Sequence, residues 1–544
     1  MLLGLVSDAS SAIPIQAIKT AFPIGIGLAS AAYLTMKIAS NSSSSGGETV
    51  PMASLRPGDS THDKEYNDDQ DAFLQRCEEE YGPTFNVLLL GKTYTVVSGP
   101  LIREVIMNSD FSSIDAVEEH QHIKAYFNTV RKSNWDPDHR TLHALVKDNI
   151  TPHLSIFTPR IVEQLEKNLD HELSKCPMQD GGRLVKDPLL PLQEMVGSAM
   201  ADVFVGPEIA KSRKIVDAFI HATEDLSKML GNGKIPHASF WGSLVKFVNY
   251  KFFNSPLHIH LQTLVDASVP VVLERRRQEA EAAEKGIEYK RPNDILQRML
   301  DNVDKYGFID LEDVCGHILI LILASVHTTT DSATALLYYF AAFPEYMETL
   351  YKEQKDVLDE IQQEREKKRE ELKKKGEPID EELDPARDRD LTAATIKRMV
   401  HMDSFVREMF RFRTERLTLM HRACKSVTLS NGVVIAKGQS AICNLKSAHQ
   451  GPEQGDEVTE FRPWRFLGKP KTATKVGADF LPFGMGRHAC PGRFLAIQEI
   501  KTIGVLVVSR YSKIEIQDPS KTMKSLRTRM GEPVPTGVIM TSRA

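Results

Sequence analysis

The stretch 480-FLPFGMGRHACPGRF-494 decides how the rest of the chain is read. It sets one cysteine, Cys490, between a glycine-rich turn and the pair Pro491-Gly492, close to the end of a 544-residue sequence. Apolar residues follow at Phe494, Leu495, Ile497, Ile500 and Ile503, the spacing of one face of an amphipathic helix. Pro491 suits a first helical turn, so the spacing predicts Cys490 at a helix N-terminus. There the free amides and the helix dipole favour a thiolate and lower the cysteine pKa, with Arg487 and Arg493 adding positive charge nearby. A thiolate so placed is either a nucleophile or a metal ligand. As a nucleophile it calls for a base and an oxyanion hole, and flanking glycines are suited to the latter, which makes a cysteine hydrolase the alternative.

Working outward, the composition is that of a globular protein, with 41% apolar and 26% charged residues. A net charge of -5 and the lack of any basic stripe exclude nucleic-acid binding through bulk charge. The length allows two to four ordinary domains or one large shared core. Six cysteines, scattered without CxxC pairs, exclude a zinc ribbon and a disulfide-dense secreted scaffold. Between Lys19 and Lys37 runs the uncharged TAFPIGIGLASAAYLTM, slightly short of a bilayer core of roughly 30 Å but extendable by snorkelling lysines. Asp8 and the missing basic n-region argue for an anchor over a cleaved signal, and SNSSSSGGET after it reads as a flexible tether. Asn41 heads a glycosylation sequon, expected to go unused if the body is cytosolic. The expected division is therefore an anchor and tether over 1–49 and a catalytic body over 50–544.

Within the body, residues 85–99 read as two short strands about the turn at Gly91-Lys92. The charged stretch 351–390 reads as a solvated helix stopped by Gly376 and Pro378. No internal repeat is present. One helix stands apart: 311–343 is apolar nearly all round, with Asp310 as N-cap and Pro344 as stop. Its longest apolar run, Ile318 to Ala324, is far below the roughly 18 residues of a membrane span, and Ser325, His327, Thr328, Thr329, Thr330 and Asp331 interrupt it. It is predicted to cross a protein core, its hydroxyls bonded back to the preceding turn or facing a pocket.

As a metal ligand, Cys490 lacks companion cysteines, which excludes a structural zinc site but leaves a heme held by a single axial thiolate. Phe483, Gly486, Cys490 and Gly492 match the FxxGxRxCxG loop, and on these residues the chain resembles the cytochrome P450 family from about Val50 onward. Other marks follow in family order. EMFR supplies the ExxR pair Glu408 and Arg411, and RPWRF the arginine Arg465 that joins it in the family's core. ASVHTT resembles the oxygen-side segment of the central helix, with Thr328 as its threonine, His327 before it and Thr329 after it. WDPDHRTLH resembles the Trp-containing helix at the heme propionates, implying contacts from Trp135 and His139, with His143 one turn on.

Two positions depart from the pattern. His488 stands where an arginine is usual, leaving His488, Arg487 or the strand arginine Arg422 to meet the propionates. His327 replaces the usual acid, and a histidine titrating near neutrality can carry its proton duty. Histidines at both places are similar to fungal members.

The resemblance implies a mainly α protein with small β-sheets, the cytochrome P450 fold with its long central helix and cysteine-ligand loop, behind an N-terminal membrane anchor. It implies heme (iron protoporphyrin IX) on Cys490 and monooxygenation of a lipophilic small molecule. Electrons would come from NADPH through a separate cytochrome P450 reductase, since the chain holds no GxGxxG loop or second domain, and Lys469, Lys471, Lys475, Arg487 and Arg493 offer it a basic face. The implied setting is a single-pass anchor in the endoplasmic reticulum with a cytosolic body. By the same resemblance the pocket draws on 111–133, 240–253, 316–328, 416–421 and 530–534, which leave the substrate unnamed. The competing readings are a heme-thiolate isomerase or dehydratase needing no oxygen, and a heme carrier or sensor.

Overall fold

In the computed structural model the described residues are 50–89, 91–121, 127, 130–133, 140–229, 256–379, 383–413, 416–527 and 534–543. The expected anchor and tether over 1–49 lie outside them, as do Trp135, His139, 240–253 and 530–533.

The protein is mainly helical, with three small sheets. In chain order the helices that frame the interior are α1 (Arg140–Asn149), α2 (Leu154–Ser174), α3 (Leu189–Val205), α4 (Leu311–Ala342), α5 (Met347–Lys375), α6 (Val400–Arg413) and α7 (Arg493–Arg510). The strands are β1 (Thr84–Leu89), β2 (Lys92–Val97), β3 (Phe111–Ser112), β4 (Met178–Gln179), β5 (Gly182–Val185), β6 (Leu417–Ala423), β7 (Val427–Thr428), β8 (Val434–Ile435), β9 (Ser440–Asn444), β10 (Tyr511–Ile516) and β11 (Val538–Ser542). They form a five-stranded sheet in the order β1-β2-β9-β6-β3, a four-stranded sheet β10-β11-β5-β4, and the pair β7-β8. The predicted hairpin is β1 and β2, antiparallel about Gly91, whose φ of 76° is cheap only without a Cβ.

Helix α4 is the axis of the fold. The side chain of Asp310 accepts the Asp313 amide at 2.8 Å and caps it as predicted. Asp313 through Leu323 and Thr329 through Ala341 are all buried, each large apolar side chain contributing ~1.5–3 kcal/mol of transfer free energy. It is the one helix among the described residues long and apolar enough to cross a membrane, and 72% of its most apolar window is buried in protein, as a core helix requires. Four of its hydroxyls are satisfied within the helix: those of Thr328, Thr330, Ser332 and Thr334 donate to the carbonyls of Ala324, Val326, Thr328 and Thr330 at 2.7–2.9 Å. Helix α5 runs as the charge pattern predicts and ends at Gly376 in the left-handed conformation.

Helix α7 differs from the sequence expectation in two ways. It is not amphipathic, because Ile497 and every residue from Glu499 to Val508 are buried, polar ones included. It also begins at Arg493 with Gly492 as N-cap, so Cys490 lies in the loop before it. Pro491 and Gly492 form a turn instead of a first helical turn.

Candidate heme site

The loop that carries Cys490 grows out of the 470–480 segment. Gly484 and Gly486 both take positive φ, 64° and 65°, and a Cβ on Gly486 would stand 2.5 Å from Met107 Sδ. These two turns fold the loop back so that the Cys490 amide donates to the Phe483 carbonyl at 2.8 Å. The Phe483 ring packs 5.3 Å from that of Phe410 on α6. Burial is the largest influence on the thiol and pushes its pKa up, contrary to the sequence expectation. The Gly492 and Arg493 amides and the Arg493 charge pull it the other way without prevailing. The correction follows from placement: a sulfur in the loop ahead of α7 loses more to desolvation than it gains from the helix end.

Around this loop the predicted core triad is assembled. Glu408 is fully buried and takes Arg411 Nε and Nη2 at 2.7 and 2.8 Å and Arg465 Nε at 3.1 Å. The remaining guanidinium N–H groups donate to backbone carbonyls: Arg411 to His449, Val458 and Glu460, Arg465 to Gln454, Asp456, Glu457 and Glu460. Two cations thus share one carboxylate without leaving a donor idle, which a buried charge cluster needs to be tolerated.

On α4 the only residues between Asp313 and Ala341 that are not buried are Ala324, Ser325, His327 and Thr328. Residues 324 and 328 are one turn apart, so a single window opens in an otherwise sealed helix. Thr328 is exposed in it, His327 is half-buried with Nδ1 lacking a hydrogen-bond partner among the described residues, and Thr329 is buried on the other side. Of the three predicted oxygen-side residues, two share the window.

The predicted propionate contacts divide. Arg422 on β6 is turned toward Gly438 O (3.3 Å) and Glu119 (3.7 Å). Alternation along the strand sends its neighbour the other way, a residue that the sequence reading counted in the pocket segment 416–421 but not at the propionates: His421 is 3% exposed and its Nε2 has no partner among the described residues. A bulge between Thr418 and His421, with Leu419 at φ 53°, re-aims the strand there, and His421 Nδ1 donates to Leu419 O at 2.8 Å. Burial holds the His421 pKa down, and the charges of His488 and Arg487 add to this, which places both near its ring. His488 Nε2 accepts Arg487 Nε at 2.8 Å, so these two act as one group in the turn Gly486–His488. His143 on α1 is committed elsewhere, its Nε2 3.2 Å from the Ala489 carbonyl.

A group with acidic tails fits this arrangement. His421 Nε2 is a buried polar atom without a partner among the described residues, Arg487 stands near it, and a single cysteine faces backbone amides. Cys490 offers one thiolate, which is what a heme held by a single cysteine needs from the chain. On the outer side of the loop a concavity is lined by His143, Lys147, Arg487, His488, Arg493 and Phe494. The other predicted basic residues serve the fold in part: Lys471 pairs with Asp479 at 2.6 Å and Lys475 donates to Pro470 O at 2.9 Å.

The chain is similar to named cytochrome P450 monooxygenases of fungi. PaxP of Penicillium paxilli is 28% identical over 67% of this chain and 64% of its own length, so the match spans just under two thirds of that relative. Monooxygenase 151 of Postia placenta is 24% identical over 83% of this chain and 84% of its own. The fold is similar to that of cyanobacterial CYP120A1, solved with retinoic acid bound, with a TM-score of 0.58 at 16% identity over 92% of this chain and all of that one. The cytochrome P450 family model matches residues 62–536. With the ligand loop, the buried Glu408 triad and the windowed core helix in place, this chain belongs to the cytochrome P450 family, whose cofactor is heme held by a cysteine thiolate.

Proposed function

We propose that the protein is a heme-thiolate monooxygenase acting on a lipophilic small molecule. The observation that carries this is the window at Ala324, Ser325, His327 and Thr328, the one polar opening in a helix sealed along the rest of its length. An isomerase or dehydratase has no use for a hydroxyl and an imidazole there.

Cys490 would hold the heme through its sulfur, and the Gly492 and Arg493 amides would moderate the charge there. His421, Arg487 and His488 would hold the propionates; of the further candidates from resemblance, Trp135 and His139 remain, while His143 and Arg422 are engaged by Ala489 O and by Gly438 O and Glu119. The chemistry that a bound heme would supply is dioxygen activation and transfer of one oxygen atom to a C–H bond. The chain does the rest. Thr328 Oγ donates to Ala324 O at 2.9 Å, which leaves its lone pairs to hold a water in the window. The His327 ring, half-buried beside it with Nδ1 buried and unpartnered among the described residues, takes or gives the proton that this water relays, and Thr329 supports the helix behind them.

Electrons come from NADPH by way of a separate flavoprotein reductase. The concavity beside the ligand loop, basic through Lys147, Arg487 and Arg493, suits an acidic partner surface. Residues 1–49 tether the body 50–544 to the endoplasmic reticulum membrane, where lipophilic substrates partition.

The test is turnover of a panel of lipophilic compounds with the reconstituted reductase and NADPH under labelled dioxygen. One labelled oxygen atom in the product is expected; product formed without NADPH or without label would overturn the assignment.

A further inference from the structure

The lock at Glu408 and the loop at Cys490 are joined by one residue that neither motif includes. His449 is the last residue of the short helix Leu445–His449 after β9 and is 1% exposed. Its carbonyl accepts Arg411 Nη1 at 2.9 Å, which ties it to the lock. Its ring Nε2 accepts the Leu481 amide at 2.9 Å, and the ring stacks on Phe480 with centroids 5.9 Å apart and planes at 28°. The same phenylalanine carries the guanidinium of buried Arg407 3.7 Å over its ring. Arg407 also donates to Thr472 O and Lys475 O, at 2.6 and 2.8 Å.

A parallel link reaches the preceding residue. Arg465 donates to Gln454 O at 3.1 Å, and Gln454 Nε2 donates to Asp479 O at 2.5 Å. Three consecutive residues at the root of the loop, Asp479, Phe480 and Leu481, are thus each held by a group tied to the lock or to α6. From that root the path to the sulfur is short: the Gly484 amide returns to Leu481 O at 2.9 Å and the Cys490 amide to Phe483 O at 2.8 Å.

We propose that His449 is a positioning residue for Cys490: it transmits the geometry of the Glu408–Arg411–Arg465 lock to Phe480 and Leu481, and so sets how firmly the thiolate is held toward the heme iron. The inference rests on the reading of Cys490 as the ligand. It requires His449 to stay an acceptor at Nε2. Burial, with Arg411, Arg416 and Arg407 nearby, pushes its pKa down to about 3, so the ring is neutral throughout the working range.

The test compares His449→Phe, which keeps a stacking ring but loses the acceptor, with His449→Gln, which restores an acceptor oxygen. The holoenzyme is reduced under carbon monoxide, and both the heme midpoint potential and the half-life of the thiolate-ligated Soret band during mild warming are recorded. The half-life should shorten about tenfold in His449→Phe, the scale of one lost buried hydrogen bond, with a displaced potential, and both should return most of the way in His449→Gln. Wild-type values in His449→Phe would overturn the proposal. Should that variant yield no holoprotein, Arg407→Lys, which keeps the charge and loses the planar stack on Phe480, carries the same expectation and the same contradiction. Cys490→Ser in parallel separates the two claims, since an unchanged band there refutes the ligand assignment and leaves the His449 result to be read as fold stability alone.

Discussion

At the scale of the residue, Glu408 is fully buried and held by donors at both oxygens. Both its oxygens serve two buried arginines and the Arg462 amide at 2.9 Å. Glu408→Gln would leave two guanidinium groups short of one negative charge in a dry interior, at a cost of ~3–5 kcal/mol. The expected outcome is poor heme incorporation and a lowered unfolding midpoint, read by absorbance and calorimetry; a variant as stable as the parent contradicts the account. The triad was legible in the sequence because its order and spacing are written there, as was Cys490 between its glycines. His421 was not. Its importance comes from a one-residue bulge at Leu419 that turns it inward and Arg422 outward, and a bulge leaves no mark in a strand pattern that reads LTLMHRA either way. The direction of the Cys490 pKa was misread for a related reason: burial is a property of the packed loop, and the helix end that argued for a low value starts three residues later.

At the scale of the element, α4 and α7 bear opposite kinds of polar residue. Thr328 is exposed in the window of α4, so Thr328→Ala costs little stability and the helix gains a better former. Its effect should fall on chemistry: NADPH use continues, product per NADPH drops several-fold and peroxide rises, as followed by peroxide assay. Unchanged coupling would move the proton duty away from Thr328. Glu499 on α7 is the reverse case, fully buried with neither oxygen bonded among the described residues, and burial alone pushes its pKa from 4.5 up to about 8. The folded protein therefore keeps a proton that the unfolded chain releases. The sign follows: this group's contribution to stability is fully present below about pH 4.5, declines as pH rises toward about 8, and is level above. Glu499→Gln should flatten that part of the stability–pH curve and raise the unfolding midpoint at pH 8 relative to the parent. Parallel curves for the two proteins would show that Glu499 meets a partner or water in solution. The sequence could not single out Glu499, because an isolated glutamate in a helix read as amphipathic looks like a surface residue; only the all-round packing of α7 shows otherwise.

At the scale of the whole molecule, one helix organises the rest: α4 runs through the core, α6 and α7 pack about it, and the lock and loop sit where α6 meets the segment leading into α7. That plan was readable from a 33-residue apolar stretch with a polar centre, whereas the sheet order β1-β2-β9-β6-β3, which joins strands more than 300 residues apart, was not, because register between distant strands is decided by packing. The proposed tether makes a separate prediction: removing residues 1–49 should move the protein from the membrane to the soluble fraction with its heme spectrum intact, and persistent membrane association would place a second contact on the body. The account as a whole stands on Cys490 as the sole protein ligand of a heme iron. The most direct measurement is the difference spectrum of the reduced protein with carbon monoxide, taken for the parent and for Cys490→Ala. The parent should show the red-shifted Soret band of thiolate ligation, and the variant should lose it; a histidine-type band in the parent, or a band that survives the substitution, would contradict the account.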